Sequence, residues 1–141
     1  MQKIFAVNEK NFSPLDEALT AACEGLIYIS ETDSPVAPFL GEKVDEVSAE
    51  VVRRHAGAES SSPVEELDLA AFFGKLTRER EWYTNADRVR AKKFLELQEL
   101  LEENLVNAKV FRFGRIRVDI FAVGIGPDHR IMGIKTYAVE T

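Results

Sequence analysis

Ile116-Arg117-Val118-Asp119-Ile120-Phe121-Ala122-Val123-Gly124-Ile125, Gly126-Pro127-Asp128-His129 and Ile131-Met132-Gly133-Ile134-Lys135-Thr136-Tyr137-Ala138-Val139 succeed one another almost without a break. Alternation at period two marks the outer two stretches as strands, and the Gly-Pro-Asp-His segment between them as a turn. Gly124-Ile125-Gly126-Pro127 is a hairpin turn and not a phosphate loop, because no helix comes after it. Val110-Phe111-Arg112-Phe113, ending at Gly114, adds a third strand before these two. The last third of the chain is therefore an antiparallel meander. Only Glu140 and Thr141 lie beyond it. They are either an ordinary short tail or a fixed acidic tip, where the Glu140 side chain, the Thr141 hydroxyl and the terminal carboxylate face a partner or a bound metal.

Helical signals fill the chain before the meander. Ser13 caps, Pro14 takes the first helical position, and Leu15, Ala18, Leu19 and Ala22 form one apolar face up to the stop at Gly25. Leu26 to Ser30 is an apolar run too short for a helix, and it predicts a buried strand. An acidic loop, Glu31-Thr32-Asp33-Ser34-Pro35, comes next. A second extended piece runs from Val36 to Leu40 and stops at Gly41. Ser48 to His55 predicts a helix with Val51 and Val52 inward and Gly57 as its stop. Gly57 to Pro63 reads as a surface loop, Val64 to Leu67 as extended, and Asp68 as the cap of a short helix through Leu69, Ala70, Phe72 and Phe73. Thr77 to Asn85 is irregular. Asn85 to Asn104 is the longest helix, with Val89, Phe94, Leu97, Leu101 and Leu105 on its inner face. The layout is α+β, with helices packed on a mixed sheet. Residues 1–12, with Ile4 to Val7 as an edge strand or extended arm, precede a single domain over 13–141.

The 141 residues, 45% of them hydrophobic, suffice for one core without disulfides or metals. No stretch reaches the roughly 20 apolar residues that span a bilayer, and the first residues lack a secretory core, so a cytoplasmic protein is expected. Cys23 is the only cysteine and reads as a small buried hydrophobe. His55 and His129 lack zinc-ligand spacing and read as surface residues. Nothing in the sequence calls for a cofactor, and no catalytic signature is present. The net charge of −6 disfavours direct contact with nucleic acid and favours encounter with basic surfaces.

Three features remain as candidate binding groups. Glu31 and Asp33 come just after a strand that would hold them still. Glu81-Trp82-Tyr83 is either a plug over the core or an exposed aromatic anchor with an acidic flank. Glu140 and Thr141 form the tip.

Gly25-Leu26-Ile27-Tyr28-Ile29-Ser30-Glu31, Leu67-Asp68-Leu69-Ala70-Ala71-Phe72-Phe73, Trp82-Tyr83, the long helix and the ending Lys135 to Thr141 together resemble the nuclease A inhibitor family. The resemblance covers roughly Asp16 to the last residue. It implies a three-layer α/β/α sandwich, layered like plant pathogenesis-related proteins. It also implies an inhibitor that plugs a magnesium-dependent, sugar-nonspecific endonuclease one to one and is a monomer when free. By the same resemblance, Glu31 lies near the partner's magnesium, Thr141 reaches that metal, and Glu81-Trp82 contacts the enzyme. Asp33 and Glu140 would add peripheral charge, and the inhibitor would hold no metal of its own. The alternatives are an interaction or ligand-binding module of the same fold and a metal-dependent hydrolase. The chain departs from the family pattern at Ser34, where a bulky aromatic can occur, and at Glu81, where Asp is usual. Thr77-Arg78-Glu79-Arg80 is also more basic than a basic cleft calls for.

Overall fold

The alternating run Arg117–Ile125 becomes the centre of the sheet. The structure is a computed structural model, and it describes residues 13–57 and 62–141. Along the chain run α1 (Pro14–Cys23), β1 (Ile27–Ile29), β2 (Asp33–Pro35), β3 (Ala37–Lys43), α2 (Ala49–Ala56) and β4 (Val64–Asp68). Then come α3 (Leu69–Thr77), α4 (Asn85–Asn104), β5 (Val106–Phe113), β6 (Arg117–Ile125), a 3-10 turn (Pro127–His129) and β7 (Arg130–Val139). Five strands form one sheet in the order β3-β7-β6-β5-β4, and every pairing in it is antiparallel. β1 and β2 form a separate antiparallel hairpin.

Strand alternation splits the core in two. Val118, Ile120 and Ala122 of β6 join a large cluster with Leu19 of α1, Phe73 of α3 and Leu97 of α4. Phe121 and Val123, facing the other way, join a smaller cluster with Val51 and Val52 of α2. Among the described residues, helices therefore cover both faces of an α+β sheet, three on one side and one on the other. Burying each fully enclosed Leu or Phe contributes on the order of 1.5–3 kcal/mol, so the three-helix face carries most of the hydrophobic stabilisation.

The helix ends form where the sequence places them. The Ser13 hydroxyl accepts from the Asp16 amide at 3.2 Å, and the Ser48 hydroxyl from Val51 at 3.2 Å. Gly57 closes α2 in the left-handed conformation. Thr84 and Asp87 exchange reciprocal hydrogen bonds at the start of α4. Asp68 occupies the cap position of α3 without a capping bond. Cys23 is buried, and burial pushes its thiol up to about 12.

Several expectations need correction. Leu26 is buried, but Ile27 and Tyr28 are only partly covered and Ile29 is 50% exposed. The apolar run is half open because β1 pairs only with β2 and stays outside the large sheet. Asp33–Pro35 is strand, so the acidic loop shrinks to the turn at Ser30–Thr32. β3 passes through Gly41, where an added Cβ would come within 2.6 Å of Ile131 Cγ2; that glycine marks close packing, not a stop. β5 begins at Val106, and a bulge between Val106 and Lys109 includes Asn107 at φ 57°. Val89 is 55% exposed, and Ala91 takes the inner position beside Phe94 and Leu97. His55 is half-buried, edge-on to Phe39 at 6.3 Å. Ile4 to Val7 and residues 58–61 of the surface loop lie outside the described residues.

The β5–β6 turn helps to fix the end of the chain, because the Ile116 carbonyl within it accepts from the Glu140 amide. Gly114 in this turn has φ 110°, and a Cβ would lie 2.3 Å from the Arg117 carbonyl oxygen. Gly114→Ala should cost about 2–3 kcal/mol in urea unfolding, since both strain and backbone overlap oppose it.

Candidate functional site

The end of the chain is held from two sides. On one side stands the β1–β2 turn, closed by Ser30, whose amide donates to the Thr32 carbonyl at 2.9 Å. The Ser30 hydroxyl accepts from the Val139 amide at 3.0 Å, and the Glu31 amide donates to the Val139 carbonyl at 3.3 Å. The turn is thus joined to the last residue of β7. Beyond that point the Thr141 amide donates to Glu31 Oε2 and the Thr141 hydroxyl to Glu31 Oε1, both at 2.8 Å. One carboxylate receives both bonds from Thr141.

On the other side the Glu140 amide donates to the Ile116 carbonyl at 2.8 Å. Arg112 Nη2 donates to both carboxylate oxygens of Glu140, at 2.6 and 2.7 Å, while its Nε donates to Glu65 at 3.0 Å. The Arg112 side chain is only 15% exposed. Burial works against its charge, yet the hydrogen bonds and charge of Glu140 prevail and its pKa rises. Tyr28 packs beside it, stacked on Phe72 at 5.8 Å, and burial pushes the Tyr28 phenol up.

The predicted binding residues therefore separate into groups. Glu31 and Thr141 meet directly and are exposed. Glu140 is exposed, but its charge is matched by Arg112, so it acts as an anchor and not as an open acidic point. Asp33 is exposed on β2, opposite Ile29 in the hairpin register. Trp82 is 75% exposed, with the Arg80 guanidinium 5.7 Å from its ring and Tyr83 edge-on at 6.5 Å. The plug alternative is excluded by that exposure. Glu81 beside it is exposed and makes no ion pair among the described residues. A groove lined by Tyr83, Ile29, Lys75 and Leu76 connects the tryptophan loop to the hairpin. A second cleft, sharing Lys75 and Leu76, continues to Arg112 and Glu140.

Sequence reasoning missed Ser30 and Arg112. Ser30 closed an apolar run without any signal of its own. Arg112 carried one: it occupies a position in β5 that shares a face with buried Val110, and a lone cation there needs a partner. Ser34 is fully buried, and its hydroxyl has no hydrogen-bond partner among the described residues.

The Thr141 hydroxyl donates its proton to Glu31, which leaves its lone pairs available to a cation or to a donor on a partner. Among the described residues no cluster of His, Cys, Asp or Glu is placed to hold a metal ion. No helix among them is long and apolar enough to cross a membrane.

The family model described as nuclease A inhibitor-like protein matches residues 13–141. The chain belongs to that family. Nuclease inhibition is the family's activity, and a nuclease is the partner it implies. No curated protein matches the sequence. The matched span of the nuclease A inhibitor-like family begins at Ser13, the cap of α1, and contains Glu31, Trp82, Arg112, Glu140 and Thr141.

The amide of Thr141, and after it the hydroxyl, hold the Glu31 carboxyl below its ordinary value. A lowered folded-state value means the contact stabilises the tail fully above the ordinary carboxylate range and is lost as pH falls through the lowered one. The Thr141 amide should therefore show slowed hydrogen exchange at neutral pH, relative to Glu31→Gln, and lose that difference under acid. Arg112→Gln should raise the mobility of residues 140 and 141 in NMR relaxation at neutral pH while the sheet amides keep their protection.

Proposed function

We propose that this protein inhibits a magnesium-dependent, sugar-nonspecific endonuclease by seating the Glu31–Thr141 pair in the enzyme's active-site cleft, one inhibitor to one enzyme. The observation that carries this reading is the double hydrogen bond from Thr141 to one exposed carboxylate on a braced hairpin. Trp82, with Glu81 beside it, is the second point of contact, and Asp33 adds negative charge on the hairpin.

The chemistry supports it. An endonuclease cleft is basic because it grips phosphates. Its magnesium keeps water-filled positions that substrate oxygens take. An oxygen of Thr141 or Glu31 can take the same place. Ordering a loose tail on binding would cost about 1–2 kcal/mol per residue. Here residues 139–141 already have partners on both sides in the free protein. Trp82 supplies a rigid aromatic surface of the kind that dominates binding energy. The inhibitor performs no chemistry in this reading and needs no cofactor.

Titrating a magnesium-dependent nonspecific endonuclease against the protein, with plasmid degradation as readout, tests the proposal. Activity should vanish near one equivalent. Deleting Thr141, or making Glu31→Lys, should raise the inhibition constant on the order of a hundredfold, since either removes an oxygen ligand or puts a cation in a basic cleft. Trp82→Ala should raise it about thirtyfold or more. Undiminished inhibition by all three, each folded by circular dichroism, would sink the reading.

A further inference from the structure

The charge of this chain is segregated, and the region around Trp82 has the opposite sign from the whole. Residues 75–93 hold seven Lys and Arg against three Asp and Glu, in a chain whose net charge is −6. Two of the three acidic residues of this region are engaged within it, and Glu81 is the exception. Asp87 caps α4 and pairs with Arg90, and Glu79 lies 3.9 Å from Arg88. Lys75, Arg78, Lys92 and Lys93 make no ion pair among the described residues, and all four are exposed. Arg80 lies against the indole. The corner therefore shows positive charge around an exposed aromatic, next to apolar surface at Ile29 and Val89.

This corner is continuous with the proposed inhibitory tip. Lys75, Tyr83 and Arg90 line the same groove as Ile29, which is two residues from Glu31. A partner that receives Glu31 and Thr141 in a basic cleft meets a basic aromatic surface immediately beside it. Like charges placed there would oppose binding, with Trp82 in the middle of the repulsion. We infer that the corner formed by Lys75, Arg78, Arg80 and Trp82 docks on an acidic, partly apolar patch that flanks the basic cleft of the same nuclease. The inference rests on the inhibitory reading and adds to it the feature by which one nuclease is chosen over another.

A nucleic-acid strand is the other anionic ligand that a basic aromatic surface suits. Two observations favour protein. The hairpin side of the groove is aliphatic, from Ile27 and Ile29. The acidic hairpin adjoins the same groove, well placed to repel a phosphate chain within the roughly 8 Å over which charge acts in physiological salt.

The test is a change of sign. Lys75→Glu with Arg78→Glu, and Arg78→Glu alone, place acid at exposed positions without touching the core. Each is titrated against a magnesium-dependent nonspecific endonuclease that the wild type inhibits. Against an acidic patch the double variant should bind on the order of tenfold more weakly, mostly through a slower association rate that high salt restores in part. If the corner instead faced the basic cleft, both variants would inhibit more tightly. Equal or tighter inhibition overturns the inference and leaves the inhibitory reading standing. Loss of the inhibitory reading shows separately, as a wild type that inhibits none of the endonucleases tried, and the inference falls with it. Retention of a fluorescent single-stranded oligonucleotide by the free wild type, abolished in the double variant, overturns it in favour of nucleic acid.

Discussion

Two hydrogen bonds converge on the Glu31 carboxylate, and both come from Thr141. That convergence demands that a hairpin near the start of the chain and the segment just beyond the final strand meet, and much of the fold is arranged so that they do. β7 is an inner strand of the sheet, paired with β6 along most of its length and with β3 on its other side. Its end is therefore fixed in space. β1 and β2 stand outside the sheet, and the Ser30 turn takes its position from Val139. Of the two partners, the sheet is the rigid one and the hairpin is docked to it.

Exposed ion pairs and hydrogen bonds contribute little to stability, commonly under about 1 kcal/mol each. The Glu31, Arg112 and Glu140 contacts are best understood by what they order. Residues 140 and 141 have no strand partner, yet each is bonded through its amide. The two bonds point to different neighbours, Ile116 on one side and Glu31 on the other, as the alternation of an extended backbone requires. Arg112 adds a side-chain hold on Glu140 from below. Removing that arginine leaves a glutamate beside Glu65 and the half-buried Tyr28, so the surroundings would press the tail outward and not merely release it.

The sheet was legible in the sequence because its signal is local. Period-two alternation in Ile116 to Ile125 and Ile131 to Val139 required no knowledge of partners, and the helix cap at Ser13 was equally local. The hairpin was harder. Leu26 to Ile29 has the composition of a buried strand, but burial depends on what packs against it, and only Leu26 is enclosed. The candidate site divided the same way. Glu31, Trp82 and Thr141 were singled out as candidates by residue type, position and family resemblance. Arg112 and Ser30 instead serve through contacts 28 and 109 residues away in sequence, and Ile116 through a backbone carbonyl. Nothing local marks a carbonyl that will accept a bond from a distant strand end.

The separation of charge comes from the same architecture. The acidic hairpin and the basic α3–α4 corner are neighbours because Tyr83 and Lys75 close the groove that Ile29 opens. Neighbouring regions of opposite sign attract, and long flexible side chains at such a boundary would ordinarily pair across it. They do not pair here. Asp87 is held by Thr84 and Arg90, and Glu31 is held by Thr141, so one acid on either side is already engaged locally. Local engagement keeps Asp87 and Glu31 from reaching across that boundary. Two surfaces of opposite sign then persist side by side, each available to a different part of one partner, and the groove between Ile29 and Tyr83 lies where the two meet.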